Sequence, residues 1–399
     1  MLTKFINLVL LCIVISNCQK KEKEELTSPR NLIAFNLLSR CTSLDVCFDR
    51  FASGSGNGAN ITIIRPNGTI LYQRETRGNL AALSRTTYSP IFSASKWITA
   101  AVTMAAIEDT SNNLSLNTTV SSVMPEWTGT KGSITIRQLL AFTSGLHAAN
   151  RGGGSESCIN TLPAVATGVD KDSCLTNIRN NTSSDAPGAF FVYNSNHMAV
   201  VQRLLERRLN QTWAQIFTRY IAGPSRLNFD ATQAVWSGAI GSATQADGSL
   251  SGAYGLALSG EHYTRFIQML LNDGVYVPTQ GSSVQILSAA SVRAILQDQY
   301  ETNTQIGFSQ FAAFGYRWRY GLGNWRFCST PDNISQCETD LVSHSFGANG
   351  FYPWIDKVRG YGVVVATNIP AGGFIIPNSA SSLFFGEDAK PFIIRLLSN

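Results

Sequence analysis

The chain has 399 residues, 44% of them hydrophobic and 14% charged, with a net charge of +5. That apolar content suits a packed core and excludes a disordered polyelectrolyte. The positive charge is modest and scattered, without the Arg/Lys stripe of a nucleic-acid binder, so no nucleic-acid partner is expected.

Met1-Leu2-Thr3-Lys4 followed by apolar Phe5 to Ser16 has the charged start and apolar core of an export signal. Ile15-Ser16-Asn17-Cys18 then resembles a relaxed bacterial lipobox, with Cys18 as the acylated residue and Asn17 departing from the small residue usual before it. Residues 1–17 are expected to be a signal peptide and 18–40 a lipidated polar tether, since Gln19 to Glu25 is nearly all Lys and Glu and has no core to join. The expected location is the bacterial cell envelope, with the protein held to a membrane by lipid; plain secretion is the alternative. No later apolar run reaches membrane-spanning length.

Residues 41–399 are long for one average domain, yet no Pro/Ser-rich linker divides them. One large domain of two interleaved parts is expected. Setting Cys12 and Cys18 aside, six cysteines fall in three local couples: Cys41 with Cys47, Cys158 with Cys174, and Cys328 with Cys337. In an exported chain these are expected to form three disulfides, although six cysteines permit about fifteen connectivities.

Ile61 to Ile64 and Thr69 to Gln73 flank the turn signal Arg65-Pro66-Asn67-Gly68, which predicts a hairpin. Ser93-Ala94-Ser95-Lys96 comes next, followed by Trp97 to Ile107 without a charged residue. If this segment is a buried helix, Ser93 and Lys96 lie one turn apart on one face. Burial disfavours the ammonium form, and a helix N-terminus acts in the same direction, so the lysine can take the proton of the serine hydroxyl. The bland alternative is an N-cap serine beside a lysine that reaches out to water.

From about residue 110 to 300 the pattern is mostly helical, with a helical subdomain expected at about 110–260. Within this stretch, Gly152-Gly153-Gly154-Ser155 reads as a flexible loop and His147 as a loop or cleft-rim residue. Pro187-Gly188-Ala189-Phe190-Phe191-Val192-Tyr193-Asn194-Ser195 precedes a helix-like run from Met198 to Glu206. Strand signals return at Phe311 to Phe327. His344-Ser345-Phe346-Gly347, with Gly350-Phe351, then stands before a strand-like Tyr361 to Asn368. The order predicts an α+β fold: an antiparallel sheet flanked by helices, with an inserted all-helical subdomain. The active cleft is expected between the two parts, with Ser93 at its floor.

Ser-x-x-Lys, then a tyrosine motif, then a His-x-x-Gly stretch, in this order, resembles the serine β-lactamase and penicillin-binding-protein superfamily. The branch most similar holds class C β-lactamases, D-alanyl-D-alanine carboxypeptidases and related esterases. Ser133 to Leu146 and Gly255 to Gly274 resemble its intervening segments. The resemblance implies Ser93 as the acylated nucleophile, Lys96 as its base and Tyr193 as the rest of the proton path. It implies an oxyanion hole from the backbone N–H groups of Ser93 and Gly347, and substrate contacts from Ser195, His344 and Ser345.

Two departures bear on substrate. Ser195 stands where the family places asparagine, with Asn196 one position on as a partial substitute. Phe346 stands where a glycine is expected, and either crowds the cleft or turns away. His344 supplies a charge for a substrate carboxylate only when protonated. The expected substrate is therefore a small ester or amide first, a muropeptide second and a β-lactam third. The competing class is a lipoprotein that keeps the penicillin-recognition fold as a binding site without turnover. Neither a cofactor motif nor the spacing of a zinc site is found: the four histidines, His147, His197, His262 and His344, are dispersed.

Overall fold

In the computed structural model, residues 41–398 are described apart from 56–57, 77–82, 162–169, 183–184, 239–243, 313–315, 317, 328–340 and 368–375. Cys18 and the expected Cys328–Cys337 pair lie outside the described residues. The other two expected disulfides, Cys41–Cys47 and Cys158–Cys174, are both present.

Helix α1 (Leu44–Ser55) leads into the hairpin β1 (Ala59–Ile64) and β2 (Ile70–Thr76). Its turn forms at the expected residues, with Gly68 at φ +85°, a backbone region open to glycine. Then follow α2 (Ser95–Glu108), α3 (Ile136–Leu140), β3 (Phe190–Val192) and α4 (Asn196–Leu209). The second half holds α5 (Gly260–Leu271), α6 (Ala289–Leu296), β4 (Gln305–Phe308), β5 (Arg319–Tyr320) and β6 (Trp325–Phe327). It ends with β7 (Val342–His344), β8 (Tyr352–Asp356), β9 (Tyr361–Thr367) and α7 (Ile376–Leu397).

Seven strands form one antiparallel sheet in the order β2-β1-β9-β8-β7-β6-β5. Burial follows position in it. Every residue of the interior strand β1 is buried, whereas the edge strand β2 alternates between exposed and half-buried. Successive residues of a strand face opposite sides. Phe351 accordingly packs on Tyr263 of α5, while Tyr352 lies against Gly386 of α7. The two helices thus cover opposite faces. Helix α2 has no polar face to offer water: Ser95 through Ala106 are all buried. Each large apolar side chain so buried contributes roughly 1.5–3 kcal/mol, which fixes this helix in the middle of the molecule. Its first turn carries the site.

Candidate active site

The short strand Ser89–Pro90 pairs with Ala257–Leu258, and Phe92–Ala94 then make one tight turn that runs into α2. Phe92 adopts φ +49°, a left-handed conformation that costs a non-glycine residue on the order of 1–3 kcal/mol and recurs at functional sites. Immediately after this strained turn, Ser93 is half-buried and Lys96, three residues on, is buried. Lys96 Nζ lies 2.8 Å from Ser93 Oγ and donates to the Ala253 carbonyl, also at 2.8 Å. Burial pushes the Lys96 pKa down to about 7, so a large share of the amine is neutral near neutral pH. Burial holds the Tyr193 pKa well above its ordinary value against a smaller opposing pull from the Ser93 side chain, and Lys96 Nζ lies 4.9 Å from the centre of the Tyr193 ring. Tyr193 therefore stays protonated and can pass a proton without resting as a phenolate.

Several contacts hold Tyr193 in place. Its N–H donates to the Phe308 carbonyl at 3.0 Å, where β3 and β4 run parallel. Its ring packs on Trp325 (5.1 Å between centroids) and Phe142 (5.3 Å). One residue earlier, the Val192 carbonyl is 2.8 Å from His197 Nε2. A carbonyl only accepts, so Nε2 carries the proton and Nδ1 accepts from the Ser144 hydroxyl at 2.7 Å. Burial lowers the His197 pKa to about 3, in keeping with this neutral ring.

The residues after Tyr193 depart from expectation. Asn196 does not stand in for the missing asparagine: its Oδ1 accepts from the Glu156 N–H at 2.9 Å and its Nδ2 donates to the Leu146 carbonyl at 3.3 Å. Both ends of its amide serve loop packing. Ser195 is half-buried, donates its N–H to Ser155 Oγ at 2.7 Å, and has no partner for its hydroxyl among the described residues. His147 belongs to a loop but not to a cleft rim. It is buried, with Nε2 3.1 Å from Asp185 and Nδ1 2.9 Å from the Ala148 carbonyl.

The third motif differs more. Ser345 reaches the site, its hydroxyl donating to the Ser93 carbonyl at 3.3 Å. Phe346 turns away into an aromatic stack, with ring centroids 4.2 Å from Tyr352 and 4.9 Å from Phe311. His344 is drawn into the same cluster, 4.7 Å from Trp318, with Nδ1 2.9 Å from the Tyr352 hydroxyl. Its pKa falls to about 3 through burial, first of all, and the nearby Lys390 charge. Buried in this cluster as a neutral ring, His344 is turned away from the substrate contact that the resemblance implied.

Gly347 is also corrected. Its N–H is spent on the Phe351 carbonyl at 2.7 Å, and the Ser345 N–H on the Pro353 carbonyl at 3.1 Å, both towards the β8 side. N–H groups alternate along an antiparallel strand. That of Phe346 thus points to the other edge, where continuing the β6–β7 register brings Gly323, itself pressed against the Lys96 carbonyl. Among the described residues neither the Phe346 nor the Ser93 N–H has an acceptor. The glycine at 347 serves close approach instead: a Cβ there would meet the Ile91 carbonyl at 2.5 Å.

Sequence reasoning missed Ala253, whose contribution is a backbone carbonyl and carries no residue signature, and His197, whose role depends on Ser144, 53 residues away. The run of small residues at Ser251-Gly252-Ala253, docked on α2 through a 2.6 Å bond from Thr99 to the Gly252 carbonyl, was the available sign of close packing. Among the described residues no group of acidic, histidine or cysteine side chains could hold a metal ion, and no helix is long and apolar enough to cross a membrane.

No curated protein matches the chain. Among solved structures, a candidate beta-lactamase from Bacteroides dorei is similar at 22% identity and TM-score 0.68, over 88% of this chain and 98% of that one. EstCE1, a hydrolase with promiscuous acyltransferase activity, matches at 18% identity and TM-score 0.61, over 87% and 98%. A mutant of simvastatin synthase from Aspergillus terreus matches at 17% and 0.61, over 89% and 94%. At these identities the likeness is one of fold. Residues 47–375 match the Beta-lactamase family, which spans most of the chain and carries the Ser93, Lys96 and Tyr193 constellation within it: the protein belongs to the beta-lactamase family and has its β-lactamase/transpeptidase-like fold.

Proposed function

We propose that this protein is an ester- or amide-cleaving serine hydrolase that works through an acyl-Ser93 intermediate. The observation that carries the reading is the 2.8 Å contact between Ser93 Oγ and a lysine whose pKa burial brings to about 7. Neutral Lys96 takes the Ser93 proton as Oγ bonds to the substrate carbonyl carbon, and the carbonyl π pair moves onto oxygen. The N–H groups of Ser93 and Phe346 receive that oxyanion; a preorganised donor of this kind contributes on the order of 3 kcal/mol to lowering the barrier. Collapse expels the alcohol or amine, which takes the proton from Lys96 by way of Tyr193. Water then attacks the acyl-enzyme with the same base, releasing the acid and restoring Ser93.

A small ester or amide ranks first, a muropeptide second and a β-lactam third, because the latter two present a carboxylate and His344 is buried away as a neutral ring. The envelope location and a lipid on Cys18 form part of the same proposal, supported by two disulfides that suit an oxidising compartment. The test is intact-mass analysis after incubation with a fluorophosphonate, a penicillin and a p-nitrophenyl ester. One adduct on Ser93, and ester turnover lost in Ser93→Ala, is the expected result; turnover retained in Ser93→Ala overturns it.

A further inference from the structure

A single exposed apolar side chain is ordinary, but Ile306 and Phe308, each 40% exposed, stand as a pair two residues apart on β4. Their place in the fold is specific. The Phe308 carbonyl receives the Tyr193 N–H at 3.0 Å, and three residues on, the Phe311 ring packs at 4.9 Å on Phe346. The segment from Phe308 to Phe311 therefore runs from the second motif to the third and forms a wall beside the candidate site. The Phe308 ring is also pressed against Gly153, where a Cβ would collide with it. Two residues further along that glycine-rich loop, Ser155 Oγ accepts the Ser195 N–H at 2.7 Å. The loop thus lies between Phe308 and Ser195 and ties the exposed ring to the catalytic segment.

Charge supports the same substrate class. His344 is turned into the aromatic cluster, and Arg151, whose side chain lies against Gly307 of β4, is engaged by Asp185 at 2.8 Å and by the Phe190 ring at 3.7 Å. An aliphatic group suits this wall better than a carboxylate does.

We propose that Phe308 and Ile306 form the subsite for the aliphatic part of an uncharged ester, and so set chain-length specificity. This rests on the acyl-Ser93 reading. The aliphatic part can belong to the acyl group or to the alcohol, and two substrate series separate these: p-nitrophenyl esters from acetate to hexanoate, and alkyl acetates from methyl to pentyl. In one series kcat/KM is expected to rise about twofold per methylene, less than full burial of a methylene gives, since the wall is half open. In Phe308→Ala that rise is expected to flatten, in Phe308→Leu to persist in part, and in Ile306→Ser to weaken. Fluorophosphonate labelling of Ser93 checks that each variant is folded at its active site. An equal rise in the unchanged protein and Phe308→Ala, or no rise in either series, overturns the subsite and leaves the hydrolase standing. No ester turnover in the unchanged protein overturns the hydrolase and the subsite together.

Discussion

The two banks of the candidate site, helical and sheet, differ in how much of the expected pattern they present. On the helical bank, Lys96 stands at hydrogen-bonding distance from Ser93 with the Tyr193 ring beside it, and burial leaves the lysine suited to the proposed role of base. On the sheet bank, the residues of the third motif keep their place beside the nucleophile but present other chemistry: His344 faces an aromatic cluster, Phe346 fills that cluster, and Gly347 closes a turn. Bond-making machinery and carboxylate recognition are physically separable. A chain can keep the first while replacing the second, because the first needs three side chains in one pocket and the second only a cation in reach.

Changes on the helical bank should have the largest effects. Lys96→Ala is expected to lower kcat by about 10³-fold or more, since general-base catalysis contributes 10² to 10⁴. The unchanged enzyme should lose activity as pH falls below about 7, where Lys96 becomes an ammonium that cannot accept the Ser93 proton. Stability should move in the opposite sense in the variant. The lysine pKa is depressed on folding, so the unfolded chain binds the extra proton between about pH 10.5 and 7, and stability is lost as pH falls through that window and stays low below it. Lys96→Met should therefore be inactive yet melt higher than the unchanged protein at pH 6. A Lys96 variant with full ester turnover, or one that melts lower at pH 6, would break the picture of a buried, neutralised base.

Tyr193→Phe keeps the ring on Trp325 and Phe142 and deletes the hydroxyl alone. A loss in kcat of about 10²-fold, with an unchanged melting temperature to within a degree or two, is expected. A smaller loss would transfer the shuttle to water.

The sheet bank responds through geometry. Gly347→Ala puts a methyl 2.5 Å from the Ile91 carbonyl and 2.8 Å from Asn349 Oδ1, in a place where backbone cannot yield cheaply. The strand should be pushed off the nucleophile's turn, with a loss of roughly tenfold in kcat and about 1–3 kcal/mol in stability by denaturant titration. Unaltered values would mean that this approach is looser than it stands.

What was legible in the sequence follows the same division. The nearness of Ser93 and Lys96 could be read directly, because the uncharged run after them marks a buried helix, although Ser93 itself sits in the tight turn before α2. The hairpin at Pro66-Asn67-Gly68 and the pairs Cys41–Cys47 and Cys158–Cys174 were likewise local. The third motif could not be read so directly. Which way Phe346 and His344 point depends on the register against β8 and on Trp318, Tyr352 and Phe311, which come from distant parts of the chain. In a strand a shift of one residue exchanges the two faces and the two edges, so a motif matched by spacing can place its donor one residue away from where the backbone puts it.

The smallest effect should come from His344, and it decides whether the two banks differ as described. A cationic histidine in the cleft would give an acidic limb to the pH profile that disappears on substitution. A neutral histidine held by the Tyr352 hydroxyl, with a pKa near 3, contributes no such limb between pH 5 and 9. His344→Gln can still hydrogen-bond Tyr352, so it should keep the limb near 7 that belongs to Lys96 and change kcat/KM for a neutral ester by less than about threefold. The informative comparison is a substrate pair identical except for one carboxylate: the ratio of the two kcat/KM values should be unmoved by His344→Gln at pH 6. If instead the charged substrate alone lost ground, His344 would be reaching the cleft as a cation, and carboxylate recognition would have survived on the sheet bank after all.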